Sequence, residues 1–209
     1  MKKLLFVLLV AGLMSSLPIR YAAAATSTFD IGLDGWTSNT PGEIRWSSTD
    51  GNPDGYVRFL DASGNFTYIA APEEFLGDWS LLDGTGSISY DHKIFSTGGG
   101  VQAFTPYRIE ISGSGGSALW AGDRPSGTTD WVHVEALLNE QDWNVNSGSW
   151  TDLLSDVDLF LIRIEMVTNT FASEITGIDN VHLTPIPGAV WLLGSGLIGL
   201  IGLSKRLRT

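Results

Sequence analysis

Leu159-Phe160-Leu161-Ile162-Arg163-Ile164-Glu165-Met166-Val167 is the stretch from which the fold follows. Ile162, Ile164 and Met166 fall on one side of an extended chain and Arg163 and Glu165 on the other, because successive strand side chains point to opposite faces. The apolar side is read as core. Moving outward, Trp131-Val132-His133-Val134-Glu135-Ala136 behaves the same way, with Val132, Val134 and Ala136 on one face and Trp131, His133 and Glu135 on the other. Similar short runs, rich in Val, Ile, Thr and aromatics and separated by Gly, Pro, Asp and Asn, predict strands at 27–30, 43–47, 56–61, 65–70, 86–95, 107–112, 118–122, 131–137, 159–167 and 177–183. The predicted fold class is all-β, an antiparallel jelly-roll-like β-sandwich.

Helix is scarce. Ser149 caps the one predicted helical segment, 149–156, which carries Trp150, Leu153 and Leu154. The glycine-rich loops 96–100 and 113–116 read as strand connections and not as phosphate cradles, since no helix-forming run follows them. Pro72 ends a strand, Phe75 and Leu76 turn inward as a plug, and Gly77-Asp78 makes the reversal that leads to Trp79; Phe75, Leu76 and Trp79 are read as structural.

The two ends differ from this body. Met1-Lys2-Lys3, the apolar run from Leu4 to Leu13 and Ala22-Ala23-Ala24-Ala25 have the three parts of a secretory signal peptide, assigned to 1–25. The tail, 185–209, starts with Pro185-Ile186-Pro187, continues from Ala189 to Leu203 without a charge and closes on Lys205, Arg206 and Arg208. Such a run is expected to form a single transmembrane helix with its basic end in the cytoplasm, although it is somewhat shorter than the usual ~20 residues. Ser195, Gly199 and Gly202 form a flat stripe along it, either a helix-packing face or simply low bulk.

Between the ends lies a body of about 160 residues, 26–184, a suitable length for one domain. It holds all 23 Asp and Glu but six of the 12 Lys and Arg, so its net charge is −17 against −11 for the whole chain. Nucleic acid is thereby excluded as a partner, because phosphate binding requires a basic footprint; cations are favoured. With no cysteine, stability has to come from packing, to which Trp36, Trp46, Trp79, Trp120, Trp131, Trp143 and Trp150, seven of the chain's eight tryptophans, contribute with eight of its nine phenylalanines.

Two resemblances go further. The Pro-Ile-Pro-Gly-Ala-Val-Trp element at 185–191, the Gly-rich apolar segment and the terminal basic cluster together resemble a PEP-CTERM-type sorting signal, with Pro-Ile-Pro in place of the commoner Pro-Glu-Pro. That resemblance implies an exosortase-like processing enzyme as partner. It also implies passage through the inner membrane to the cell surface or extracellular matrix of a Gram-negative bacterium; a plain membrane anchor is the alternative. Within the body, Gly55-Tyr56, Tyr68-Ile69-Ala70-Ala71-Pro72-Glu73-Glu74-Phe75-Leu76-Gly77-Asp78-Trp79-Ser80, Ile88-Ser89-Tyr90-Asp91 and Gly177-Ile178-Asp179-Asn180-Val181 resemble the laminin B (laminin type IV) domain. Asp54 stands where that family commonly has glycine.

Metal-ligand candidates form two groups. Asp50, Asn52 and Asp54 place oxygen ligands at alternate positions before Gly55, with Asp61 at the twelfth position, as at the start of a calcium loop; the same residues also make a good turn. Asp30 and Asp179 occupy the places where jelly-roll carbohydrate-binding modules, which the layout resembles, often hold a structural Ca2+; strand-end caps are the alternative. Catalysis finds no support. His92, His133 and His182 are isolated, no Ser lies in G-x-S-x-G, and carboxylate pairs among 23 acids are uninformative alone. The function expected is therefore a non-catalytic module that binds polysaccharide or other extracellular matrix components, with Trp120, Trp143 and Trp150 as sugar-stacking candidates or else as core. A glycan-active hydrolase and an inert matrix filler are the alternatives.

Overall fold

The computed structural model describes residues 24–40, 42–62, 66–99, 103–168 and 173–185. Residues 1–23 of the expected signal peptide and 186–209 of the expected transmembrane and sorting segment, with Pro187, Lys205, Arg206 and Arg208, lie outside the described residues, whereas Ala25, assigned to the signal peptide, and Pro185, assigned to the sorting signal, are strand residues paired with Leu183 and Gly86. Among the described residues no helix is long and apolar enough to cross a membrane.

Among the described residues twelve strands and one short α-helix follow in order, apart from three 3-10 turns: β1 Ala25–Ser27, β2 Thr37–Ser38, β3 Ile44–Ser47, β4 Tyr56–Leu60, β5 Tyr68–Ala70, β6 Gly86–Thr97, β7 Arg108–Gly113, β8 Gly116–Ala121, β9 Val132–Leu137, β10 Asn144–Gly148, α1 Trp150–Leu154, β11 Val157–Arg163 and β12 Glu174–Pro185. One sheet runs β3-β4-β12-β6-β9, with β1 also paired to β12; the other runs β10-β8-β7-β11-β5-β2. Every pairing is antiparallel. The result is the all-β sandwich expected from the alternation.

The core lies between the sheets. Its centre is aromatic: Trp36 meets Phe29, Phe75 and Phe160 edge-on, and Trp79 meets Phe160 in the same way. Edge-to-face contact sets a positive ring edge against a negative ring face. The two buried indoles keep their N–H groups satisfied, Trp36 by Ser27 Oγ at 2.9 Å and Trp79 by the Phe75 carbonyl at 3.0 Å. Phe75 and Trp79 are fully buried, as the plug reading requires. Gly77 pairs with Val157 through both its N–H and its carbonyl, at 2.8 Å each. Ser149 caps α1, its hydroxyl accepting from the Asp152 N–H at 3.1 Å.

Some elements differ from the expectation. β1 ends at Ser27, not Asp30, because Phe29 takes a left-handed φ of 53° to drop its ring into the core. β2 and β10 carry no apolar alternation and were not legible. β11 ends at Arg163, beyond which only single contacts to its neighbours remain, the Ile164 N–H donating to the Thr67 carbonyl and Val167 bridging to Phe104. Arg163 and Glu165 lie on the side away from Ile162 and Ile164, yet both are buried, since the segment ending at Thr67 covers them. The Thr67 N–H donates to Glu165 at 2.9 Å, and Phe66 lies over the Arg163 guanidinium at 5.0 Å.

This corner gathers four buried acids, Glu43, Asp61, Glu165 and Glu174. Glu43 accepts from the Thr67 hydroxyl at 2.6 Å, and Glu174 accepts from the N–H groups of Met166 and Val167. Burial pushes Glu174 up to about 8 and Glu165 up to about 7, with the neighbouring acids adding to the effect and the N–H donors opposing it.

Candidate functional site

One predicted ligand residue, Trp120, lines a groove of about 500 Å³ at an edge of the sandwich. Three local features build it. β7 and β8 form a hairpin whose pairing continues past Ala121, with the Gly122 N–H donating to the Tyr107 carbonyl and the Tyr107 N–H to the Asp123 carbonyl, both at 3.0 Å. That continuation carries Tyr107 and Asp123 to the end of the groove. Trp120 stands opposite Ile109 on the core-facing side, but at the rim, where it is only partly buried. Its ring folds over Gly122, where a Cβ would sit 2.4 Å from the indole, so glycine is required for this ring position. The facing wall is β9, which pairs with β6 alone. Val132, His133 and Glu135 line the groove from that strand.

The groove is chemically mixed. Trp120 and Val132 supply apolar area and the exposed Asp123 supplies charge, while the exposed His133 and Glu135, cross-strand partners of Asp91 and Ser89, lie on the other face of β9 from Val132 and Val134. Burial raises the Tyr107 phenol above its ordinary value, and the Asp123 carboxylate adds to this. As an edge strand, β9 leaves the backbone groups that do not face β6 open on the groove side. An aromatic wall, a carboxylate and a strand edge suit a ligand with both flat apolar faces and many hydroxyl groups.

Of the tryptophans read as sugar-stacking candidates or else as core, Trp143 and Trp150 are core. Trp143 and Trp150 are 6% and 2% exposed, and their rings pack together at 5.6 Å. Each indole N–H is spent inside the protein, Trp143 on the Leu137 carbonyl at 2.8 Å and Trp150 on Asp83 at 2.9 Å. Both reside where the hairpin, β10 and α1 meet, a location set by tertiary packing.

The candidate metal ligands come together in part. The 50–54 segment folds as a turn, the Gly51 N–H donating to the Asp54 carbonyl at 2.9 Å, and lies against the outer face of the β12-β6 pair. Asp179 and Asp91 are direct cross-strand partners there. Asp179 accepts from the N–H groups of Asn52 at 2.5 Å and Asn180 at 2.7 Å. Asp91 accepts from the side-chain amides of Asn52 at 2.9 Å and Asn180 at 3.0 Å, and its other oxygen lies 3.0 Å from His133 Nδ1. Burial pushes the Asp179 carboxyl up to about 6; its two N–H donors oppose this, while the charges of Asp91 and Asp30 reinforce it.

Asp30 is thus within electrostatic reach of Asp179, though its own carboxylate is exposed and accepts from the Thr28 hydroxyl at 2.9 Å. Asp61 does not join the turn. It lies at the far end of β4, beside Glu165 and Glu174. The oxygen donors fit a hard cation in kind, but among the described residues no three His, Cys, Asp or Glu side chains converge as metal ligands.

Next to this network the outer sheet face carries Tyr56 stacked on Phe95 at 5.2 Å, with Trp131 edge-on to both and Lys93 above the Phe95 ring at 4.8 Å. The Trp131 indole donates to the Asp50 carbonyl at 3.1 Å and so ties the turn to β9. His92, the third isolated histidine with His133 and His182, is fully buried under Tyr107, and burial lowers it to about 4.

No protein-family model matches the sequence, and comparison with curated proteins found no match. Solved structures do match. The chain is similar to the L4b domain of human laminin alpha-2, with TM-score 0.55 and 13% identity, over 78% of this chain and 98% of that one. It is also similar to a family 11 carbohydrate-binding module from Clostridium thermocellum, solved with a beta-1,3-1,4-mixed-linked tetrasaccharide, with TM-score 0.50 and 16% identity, over 78% of this chain and 95% of that one. At such identities the likeness is one of fold, a jelly-roll-like β-sandwich.

Proposed function

We propose that the chain is an exported, non-catalytic carbohydrate-binding module of the extracellular or exopolysaccharide matrix, with its sugar site in the groove walled by Trp120. The observation that carries this reading is the partly exposed indole across from the edge strand β9, in a groove of about 500 Å³ that Asp123 also lines. Pyranose rings present apolar C–H faces to an indole and hydroxyl groups to carboxylates and free backbone. The solved carbohydrate-binding module of similar fold supports it as an analogy of architecture.

The test is calorimetric titration of the purified chain with a panel of oligosaccharides. Trp120→Ala should weaken binding about tenfold or more, since an aromatic anchor dominates such sites, and should lower the melting temperature without unfolding the domain, because the ring is only partly buried against the core. An unaltered affinity in that variant removes the site. Hydrolysis is the weaker reading: glycosidase chemistry needs a carboxylic acid kept protonated by a water-poor setting, and Asp123 and Glu135 stand in solvent. Release of reducing ends from a bound glycan would reverse that order.

Calcium belongs to the proposal as a structural ion. Asp30 and Asp179, with oxygen atoms of Asp50, Asn52 and Asp54, would hold it, and it would supply positive charge beside the paired carboxylates of Asp179 and Asp91. The tail is proposed to be a sorting signal and membrane span read by an exosortase-like enzyme, which would deliver the sandwich to the envelope surface or matrix. A fluorescent fusion lacking residues 185–209 should fail to lodge in the envelope; normal localisation of that fusion would refute the tail reading.

A further inference from the structure

We infer a second binding site, independent of the Trp120 groove, on the outer face of the β3-β4-β12-β6-β9 sheet: a row of basic residues that takes the carboxylates of a uronic-acid glycan. Strand register builds the row. Arg45 on β3 is the direct partner of Arg58 on β4, Arg58 of Gly177 on β12, and Gly177 of Lys93 on β6. Val57, Phe59, Ile94 and Ile178 alternate with these residues and belong to the core, so the row faces away from the other sheet. Three of the sandwich's six basic residues thus stand on one line across four strands, about 14 Å from end to end at ~4.8 Å per strand. Arg45 and Arg58 oppose each other as like charges, an arrangement that destabilises a sheet. Among the described residues neither forms an ion pair, whereas Arg108 pairs with Glu110 at 2.8 Å and Lys93 with Asp130 at 3.2 Å.

Gly177 leaves the middle of the row without a side chain, and aromatic rings fill the space. A Cβ there would sit 2.6 Å from the Tyr56 ring and 3.0 Å from the Trp131 ring. Tyr56 is buried beneath this cluster, while Phe95 and Trp131 are partly exposed and hold Lys93 Nζ at 4.8 and 5.8 Å from their ring centres. Burial raises the Tyr56 phenol; a bond with Ser47 and the charge of Arg58 oppose this and Asp50 adds to it, so Arg58 stands beside the rings. Asp91 and Asp179, in the next row, are engaged by Asn52 and Asn180, and Asp130 by Lys93. Arginine presents a planar fork that grips a carboxylate through two parallel hydrogen bonds, and the apolar face of a pyranose covers aromatic surface. A glycan with a carboxylate on each ring meets both features along this row. A neutral glycan leaves the two opposed arginines as they are.

The experiment is calorimetric titration of the full chain with a hexamer of galacturonic acid and with the methyl ester of the same hexamer, at pH 7 and 0.15 M salt, where the field of the acidic body is screened beyond about 8 Å. The acid should bind about tenfold tighter than the ester, in line with two partly exposed ion pairs. Arg45→Gln combined with Arg58→Gln should abolish that preference and leave the melting temperature unchanged or higher, because it relieves the like-charge pair. Asp130→Asn, which frees Lys93, should tighten binding of the acid. Trp120→Ala should leave it at the wild-type value. Equal binding of acid and ester, or a preference that survives the double substitution, overturns the inference. Polyglutamate of equal charge binding as tightly as the hexamer overturns it too, since the row would then hold any polyanion. Loss of acid binding in Trp120→Ala would move the uronate to the groove and refute the second site. Failure of the galacturonic acid hexamer to bind removes this site alone, because the oligosaccharide panel and Trp120→Ala test the groove separately.

Discussion

Raising the pH from 6.5 to 8.5 should destabilise the sandwich, and the corner of buried acids supplies the magnitude. Glu174 is fully buried and held up to about 8, Glu165 up to about 7, in both cases by burial first, with Glu43 or Asp61 close enough to add to it and Arg163 pulling Glu165 the other way. The unfolded chain releases these protons near the ordinary carboxylate value of about 4.5, whereas the folded chain keeps them. Their stabilising contribution is therefore complete below about pH 4.5 and is lost as pH rises through 7 and 8.

His92 works in the opposite sense. Its value is lowered to about 4, so its contribution is lost as pH falls from 6.5 towards 4. Asp179, held up to about 6, has given up its share by then. Above pH 6.5 the carboxyl groups alone set the direction. Between pH 6.5 and 8, Glu174 by itself accounts for about 2 kcal/mol, which for a domain of this size is a fall of about 4 to 8 °C in melting temperature. Differential scanning calorimetry at pH 6.5, 7.5 and 8.5 and constant ionic strength measures it. Glu174→Gln, which keeps an acceptor oxygen but cannot ionise, should flatten the curve. A wild-type melting temperature that is constant or rises across this range refutes the reasoning.

Trp150→Ala should cost about 3 to 5 kcal/mol by urea denaturation, since it empties a large buried site and leaves Asp83 without its indole donor; a loss below about 1 kcal/mol would mean the site is not core. Added calcium should raise the melting temperature of the wild-type chain and not of Asp179→Ala, by preferential binding to the folded state, whereas a melting curve indifferent to chelator removes the ion from the proposal.

How much of this was legible beforehand depends on the range over which each feature is decided. The alternation in 131–136 and 159–167, the Ser149 cap and the Phe75 to Trp79 plug each depend on residues a few positions apart, and the sequence alone determined them. It also determined which way His133 and Glu135 point on β9. It could not show that β9 is an edge strand, that the Trp120 rim stands across from it, or that Trp143 and Trp150, chemically the same residue, are sealed inside. Nor could it show that Asn52 meets Asp179, 127 positions away, or that Glu165 is buried on the face expected to be polar. Side-chain direction along a strand is set by backbone geometry at that strand. Strand order, by contrast, is chosen by the whole chain at once, as the arrangement that encloses the most apolar surface, and a groove at an open edge exists only after that choice.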